Sequence, residues 1–322
     1  MRIILKIAGG YGYYDEITFL KGFSIITIVL MHYLQNGSFP GLINTAFSIG
    51  GTGVHIFFFC SGFGLYISYM EKPLGFTEFI KNRLLKIYIP YIIIVGISAL
   101  LPYMYEGNRL KAFLSHLFLY KMFIPEYEIS FGVQFWYIST LFQFYLAFIL
   151  LVKVKDRLGN PKAFLAIGMI VIIMWWIISA QTGIDEERIW GSFFLQYIWE
   201  FVLGMVVAEH LKKGNEIKVD KLALAIISVL GIGIAGTTKM IGGVLTAFND
   251  VFAMFGYGAL ALFVYSLGIG YVNRLVMFSS MISYELYLIH ILVYNTVRCF
   301  INSWFLTAVI SLLVSFILAL TY

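Results

Sequence analysis

Apolar residues dominate this chain in runs rather than on single faces, and the runs recur at a regular length. Stretches of spanning length fall at roughly 17–34, 47–70, 84–103, 132–152, 163–180, 192–209, 221–238, 247–270, 275–297 and 303–321, against the about 20 residues that carry a helix through a bilayer core. They predict an all-α integral membrane protein of about ten transmembrane helices, with residues 1–322 as a single domain. No fixed-period repeat, low-complexity tract or Pro/Gly/Ser linker breaks the pattern. The first run starts near Ile17 with no small-residue cleavage site after it, so it is expected to remain as a helix. The longest connection runs from Met104 to Phe131. Within it Ala112 to Ile124 is apolar but too short to span, which suggests a re-entrant or interfacial segment in a loop of functional length.

Composition narrows the class. Hydrophobic residues make up 61% and charged residues 12%, where a soluble domain carries roughly 25% charge. The net charge of +5 does not indicate nucleic acid, because Lys and Arg sit in short clusters between apolar runs. Their placement orients the chain instead. With the N-terminus inside, 16 of the 22 basic residues fall in cytoplasmic segments, leaving Arg109, Lys111, Lys121, Arg188, Lys239 and Arg298 outside. This predicts a multi-pass protein of the cell (plasma or inner) membrane with both termini cytoplasmic. Cys60 and Cys299 both lie in apolar runs and offer neither a disulfide framework nor paired zinc ligands, so no metal is expected.

Ionisable side chains at membrane depth cost about 2.5–3.5 kcal/mol each for Lys or Asp, so each needs an internal partner or a water-filled cavity. In the first helix Lys21 and His32 are eleven steps apart, which returns them to within about 20° of one face and separates them by roughly 16 Å. Lys21 falls near the cytoplasmic mouth and His32 in the outer half. By itself His32 reads either as a neutral histidine bonded to a neighbouring helix or as a proton acceptor for a hydroxyl. The second helix opens Gly50-Gly51-Thr52-Gly53-Val54-His55 and continues to Cys60-Ser61-Gly62. Its small residues admit a close backbone or a ligand, and His55 faces either an outer cavity or an interface. Arg83 and Lys86, at i and i+3, serve as a positive-inside anchor or grip a phosphate-bearing ligand. Gln134-Phe135-Trp136-Tyr137 reads as an interfacial aromatic cluster. In the ninth run Glu285 and His290 stand about 140° apart, so at least one is expected to reach another helix; Glu200 in the sixth raises the same question.

Taken in order, Phe19-Leu20-Lys21-Gly22 with His32, Gly53-Val54-His55-Ile56-Phe57-Phe58-Phe59-Cys60-Ser61-Gly62-Phe63, Arg83-Leu84-Leu85-Lys86-Ile87-Tyr88-Ile89-Pro90, Phe135-Trp136-Tyr137 and Ser283-Tyr284-Glu285-Leu286-Tyr287-Leu288-Ile289-His290 resemble the membrane acyltransferase family 3 across nearly the whole chain. The resemblance implies transfer of an acyl group, commonly acetyl from acetyl-CoA, to a hydroxyl of an extracytoplasmic glycan or lipid-linked sugar. It implies an essential histidine in the first helix, with ten residues between it and a basic one. On that pattern His32 and Glu285 are expected to be catalytic, His32 as general base or acyl carrier and Glu285 orienting it. Lys21, Arg83 and Lys86 are expected to hold the acyl-CoA, and Ser61, Trp136, His55 and His290 to line the site. Lys21 and Lys86 stand where arginine is usual, which keeps the charge and loses the planar fork. Acyl-CoA, the glycan or lipid-linked sugar and membrane lipid are the expected partners, with self-association left open. A transporter or flippase of a lipid-linked glycan and a non-catalytic membrane sensor are the alternatives; the first predicts repeated halves, which the sequence does not display.

Overall fold

The computed structural model describes residues 2–5, 14–35, 37, 39–183, 188–242 and 244–321; Lys6 of the basic N-terminal set, with the side chains of Arg2 and Arg188, lies outside them. In chain order the elements are β1 (Arg2–Leu5), α1 (Asp15–Leu34), α2 (Gly41–Ser48), α3 (Gly53–Glu71), α4 (Phe76–Arg83), α5 (Ile89–Leu100), α6 (Arg109–Leu117), α7 (Trp136–Leu158), α8 (Pro161–Thr182), α9 (Arg188–Gly191), α10 (Ile198–Lys212), β2 (Ile217–Asp220), α11 (Lys221–Ile241), α12 (Val244–Ser266), α13 (Gly270–Met281), α14 (Ser283–Arg298) and α15 (Trp304–Thr321). Helix is the natural outcome for runs that must satisfy their backbone groups without water.

Among the described residues eight helices are long and apolar enough to cross a membrane, or nine if one bent pair counts as a span. Two of the ten expected runs therefore take other forms. The run at 192–209 becomes a short 3₁₀ turn, Phe194–Tyr197, leading into the 15-residue α10. The run at 275–297 breaks at Ile282 with a bend of 83° between α13 and α14. That break follows Ser279 and Ser280 and precedes Ser283, and the Ser279 hydroxyl donates to the Leu275 carbonyl. Such back-bonding competes with the regular ladder and favours a kink. The strands are a further departure from the all-helical expectation: β1 and β2 pair antiparallel, Arg2 opposite Asp220 and Leu5 opposite Ile217.

The chain divides into two compact units, one formed by 1–71 with 199–284, the other by 72–198 with 285–322. In the first unit α1 is gripped from three sides. A Cβ at Gly50, in the 3₁₀ turn leading into α3, would run into the Thr27 carbonyl and one at Gly53 would crowd Ser24, so the start of α3 lies backbone to backbone on α1. Gly22 does the same toward the Val276 carbonyl of α13. From α12, Tyr265 meets Phe19 with ring centroids 5.1 Å apart, Tyr257 meets Phe23 at 5.5 Å, and the Tyr257 and Thr27 hydroxyls bond. Helices α3 and α10 exchange glycines: Gly62 faces the Phe201 carbonyl and Gly204 faces that of Phe59. Small residues let helices approach where lipid supplies no hydrophobic drive between them.

In the second unit α7 packs against α4 through Phe79 and Phe148, stacked at 4.9 Å. The long connection forms α6 and a set of tight turns around a buried polar knot. The His116 Nδ1 and the Tyr91 hydroxyl are 2.7 Å apart, and Nε2 lies 3.1 Å from the Ser130 carbonyl and 3.0 Å from its hydroxyl. Lys121, expected as an outer loop charge, is fully buried, its ammonium 3.4 Å from the carbonyls of Ser130 and Gly132 and 6.0 Å from the centre of the Phe135 ring. Leu119 and Phe131 adopt φ of 59° and 56°, a left-handed conformation that side chains rarely take, so this knot holds its backbone against strain.

Two outcomes follow from this packing. Gly62→Val or Gly204→Val forces α3 and α10 apart and should cost about 1–3 kcal/mol, seen as a lower unfolding temperature in detergent; unchanged thermal unfolding would refute the backbone contact. Burial, with the nearby Lys121 ammonium, holds the His116 imidazole well below the usual histidine range. The unfolded chain takes up a proton below about 6.5 that the folded state refuses, so this contribution is intact above that pH. Stability should then fall by about 1.4 kcal/mol per unit as pH drops below it. The fall between pH 7.5 and 5.5 should be smaller in His116→Gln than in the wild-type protein, and equal slopes would remove His116 as its cause.

Candidate functional site

The candidate residues fall in both units. Lys21, His32, His55 and Ser61 belong to the first, and Arg83, Lys86, Trp136, Glu285 and His290 to the second.

Helix α1 holds Lys21 and His32 on one stripe, because both lie within its regular 20 residues. At about 100° per residue, Ser24, Thr27 and Met31, which meet the glycines at the start of α3 and in the turn just before it, lie some 60–120° to one side of Lys21; Gly22, which meets α13, lies about 100° to the other. The stripe thus runs along the groove between α3 and α13. Its middle residues, Ile25 and Ile28, are fully buried, whereas Lys21 and His32 at its two ends are half-buried. This face of α1 is turned inward, with polar groups where access remains. On α3, Cys60 and Ser61 are both half-buried.

His55 belongs to a different surface. Gly53 faces α1, and two residues on, about 200° round the helix, His55 faces away from it. Its Nδ1 is 2.6 Å from Oε1 of Glu200, in the first turn of α10, and its Nε2 is 3.6 Å from Oδ1 of Asp250 in α12. Glu200 is fully buried, while the side chains of His55 and Asp250 keep 14% and 19% exposure. The sequence flagged Glu200 as an acid within an apolar run. Asp250 went unnoticed, although an aspartate just inside the run that begins near 247 carries the same signal.

In the second unit Arg83 closes α4 and is followed by a π-helical turn, Leu84–Tyr88. That wider turn changes the expected i,i+3 register of Arg83 and Lys86. The Arg83 guanidinium lies over the rings of Phe79, at 5.4 Å, and Tyr145, at 6.0 Å, and Lys86 is exposed. Single π turns often mark functional segments. Trp136 is half-buried against Tyr197, with ring centroids 5.7 Å apart, at the start of α7. Glu285 is half-buried in the first turn of α14, where the positive end of the helix favours a carboxylate. His290 is fully buried, and its Nδ1 donates to the carbonyls of Leu286, at 3.1 Å, and Tyr287, at 2.8 Å, which fixes its tautomer. The Tyr287 hydroxyl bonds the Gln134 carbonyl, and the Gln134 side-chain amide is buried with no hydrogen-bond partner among the described residues.

Comparison with known proteins supplies a family and one relative. The model of a family described as "Acyltransferase domain" matches residues 14–322. A relative, the exopolysaccharide production protein ExoZ of Rhizobium meliloti (strain 1021), is 24% identical over 175 residues, 52% of this chain and 53% of that protein. The chain therefore spans about half the length of the curated relative it matches. No solved structure matches.

Proposed function

This chain belongs to that acyltransferase family as a multi-pass membrane protein, and we propose that it moves an acyl group, acetyl in the simplest case, from acyl-CoA to a hydroxyl of a cell-surface polysaccharide or lipid-linked sugar. The observation that carries the reading is the inward stripe of α1, with a base at its outer end and a fixed cation at its inner end. His32 would take the proton of the acceptor hydroxyl as it attacks the thioester, or carry the acyl group itself before the hydroxyl takes it. Lys21 would meet the anionic part of the donor. Arg83, stacked on two rings and thereby held in place, and the exposed Lys86 are suited to the phosphates of a coenzyme A. Glu285 and His290, both on α14, are the candidate supporting groups of the second unit. The exopolysaccharide role printed for the relative favours a carbohydrate acceptor.

An outward relay also needs two defined faces. We read ten crossings with both termini in the cytoplasm, and contacts in the first unit support this. Five helices that meet the length criterion precede residue 217, yet β1 pairs with β2, so joining them on one face takes a sixth crossing, for which α10 is the available helix. Glu71, at the end of α3, and Lys212, at the end of α10, form an ion pair of 2.7 Å, and the Lys221 ammonium reaches the Ser266 carbonyl. On the other face Lys239 is 3.4 Å from the Ser48 hydroxyl.

The purified protein in lipid vesicles should transfer label from acetyl-CoA to host polysaccharide or lipid-linked sugar. His32→Ala should lose about 100-fold or more of that turnover, and Arg83→Ala should raise KM for the donor. Full transfer by His32→Ala, or none by the wild-type protein with several acyl donors, would refute the reading. A cysteine placed at Lys218 should react with a membrane-impermeant thiol reagent only from the cytoplasmic side, and one at Lys239 only from outside; both reacting from one side would refute the topology.

A further inference from the structure

We propose that the side-chain amide of Gln134 binds the acceptor sugar, its oxygen accepting from one hydroxyl and its nitrogen donating to another. The proposal rests on the acyl-transfer reading and names a group that holds the acceptor; Gln134 moves no proton.

Gln134 sits in the 3₁₀ turn Val133–Phe135 that leads into α7. Contacts on both sides fix that turn. The Tyr287 hydroxyl donates to the Gln134 carbonyl, and the Lys121 ammonium is 3.4 Å from the Gly132 carbonyl. The Phe135 ring stands edge-on to Tyr91 and His116, with centroids 5.2 and 5.8 Å away. The Gln134 side chain folds back over Gly132, whose φ of 147° suits glycine, and a Cβ there would stand 2.5 Å from Oε1 and 2.9 Å from Nε2. Glycine thus leaves room for the amide. The residue is only 3% exposed, and neither Oε1 nor Nε2 has a hydrogen-bond partner among the described residues. Two further buried hydroxyls at this end of α7 also lack one among them: that of Ser139, five residues on, and that of Ser192, whose carbonyl accepts from Thr140.

A packing role is the rival explanation, and the energetics speak against it. Leucine or methionine would fill a similar volume, whereas a buried amide left unpaired is destabilising. An amide held in a rigid turn with donor and acceptor unused is a preorganised ligand group. Its adjacent oxygen and NH₂ match neighbouring hydroxyls of a sugar ring. Position decides which substrate it meets. Arg83, suited to the donor phosphates, lies 6.0 Å from the centre of the Tyr145 ring, and Tyr145 is eleven residues along α7, roughly 16 Å from Gln134. In the ten-crossing topology Gln134 is at the outer end of α7, with Lys155 and Arg157 at the cytoplasmic end. The acceptor, displayed outside, is therefore the substrate on its side. The turn reaches the surface at Val133, which keeps 39% exposure.

The test uses the full-length protein in vesicles with labelled acetyl-CoA and the host polysaccharide or lipid-linked sugar that accepts label from the wild-type protein. Gln134→Met removes both hydrogen bonds to the acceptor and should raise its KM about 10-fold or more, with KM for acetyl-CoA unchanged. The unfolding temperature should stay equal or rise, because an unpaired amide gives way to an apolar group of similar size. Gln134→Leu is the second variant and should show the same split. An unchanged KM for the acceptor would overturn the assignment and leave the amide to an ordered water. A rise in KM for acetyl-CoA alone would overturn it in favour of the donor, and a lower unfolding temperature in both variants, with equal losses on both substrates, in favour of a structural role. Each of these leaves the acyl-transfer reading standing, whereas no transfer by the wild-type protein would overturn both.

Discussion

Every polar group in this chain answers to one constraint: inside hydrocarbon, an unpaired charge or backbone amide has nowhere to turn but the protein. The helices follow from the backbone half of that constraint. The side-chain half decides which faces point inward. Lys21 and His32 end an α1 stripe whose centre is fully buried, and His55, Glu200 and Asp250 converge from three helices. Glycine makes both arrangements feasible, because α3 and α13 lie on α1, and α10 on α3, with carbonyls where a Cβ would otherwise stand. Close approach brings polar side chains of adjacent helices within reach of one another.

The two faces of α3 therefore meet different neighbours. Toward α1 it presents glycines and forms one wall of the groove that carries Lys21 and His32. Away from α1 it presents His55 to two carboxylates.

The second unit works by irregularity instead. A π turn follows Arg83, and the guanidinium is fixed on the Phe79 and Tyr145 rings rather than by a carboxylate. The connection before α7 ties His116, Lys121 and Ser130 into a knot that tolerates two left-handed non-glycine residues. Such a knot is rigid because each of its polar groups would be costly to expose or to orphan. It ends in the turn that holds Gln134, directly before Trp136 begins α7.

The sequence by itself determined that the chain is helical and built for a membrane, where most spans begin and end, and that Lys21 and His32 share a face. Run length, charge between runs and the 3.6-residue repeat are local quantities that need no knowledge of neighbours. It also singled out Glu200, because an acid in an apolar run is costly wherever it packs. Only the tertiary structure decided that α10 is short, that the ninth run breaks at Ile282, that residues 2–5 form a strand with 217–220, and that Lys121 is buried rather than a surface loop charge. It alone paired His55 with Glu200, 145 residues away, and set Asp250 beside them. The physical reason is the same in each case: these features depend on which helix lies alongside which, and that is fixed by close packing between segments distant in sequence, not by the periodicity of any one of them.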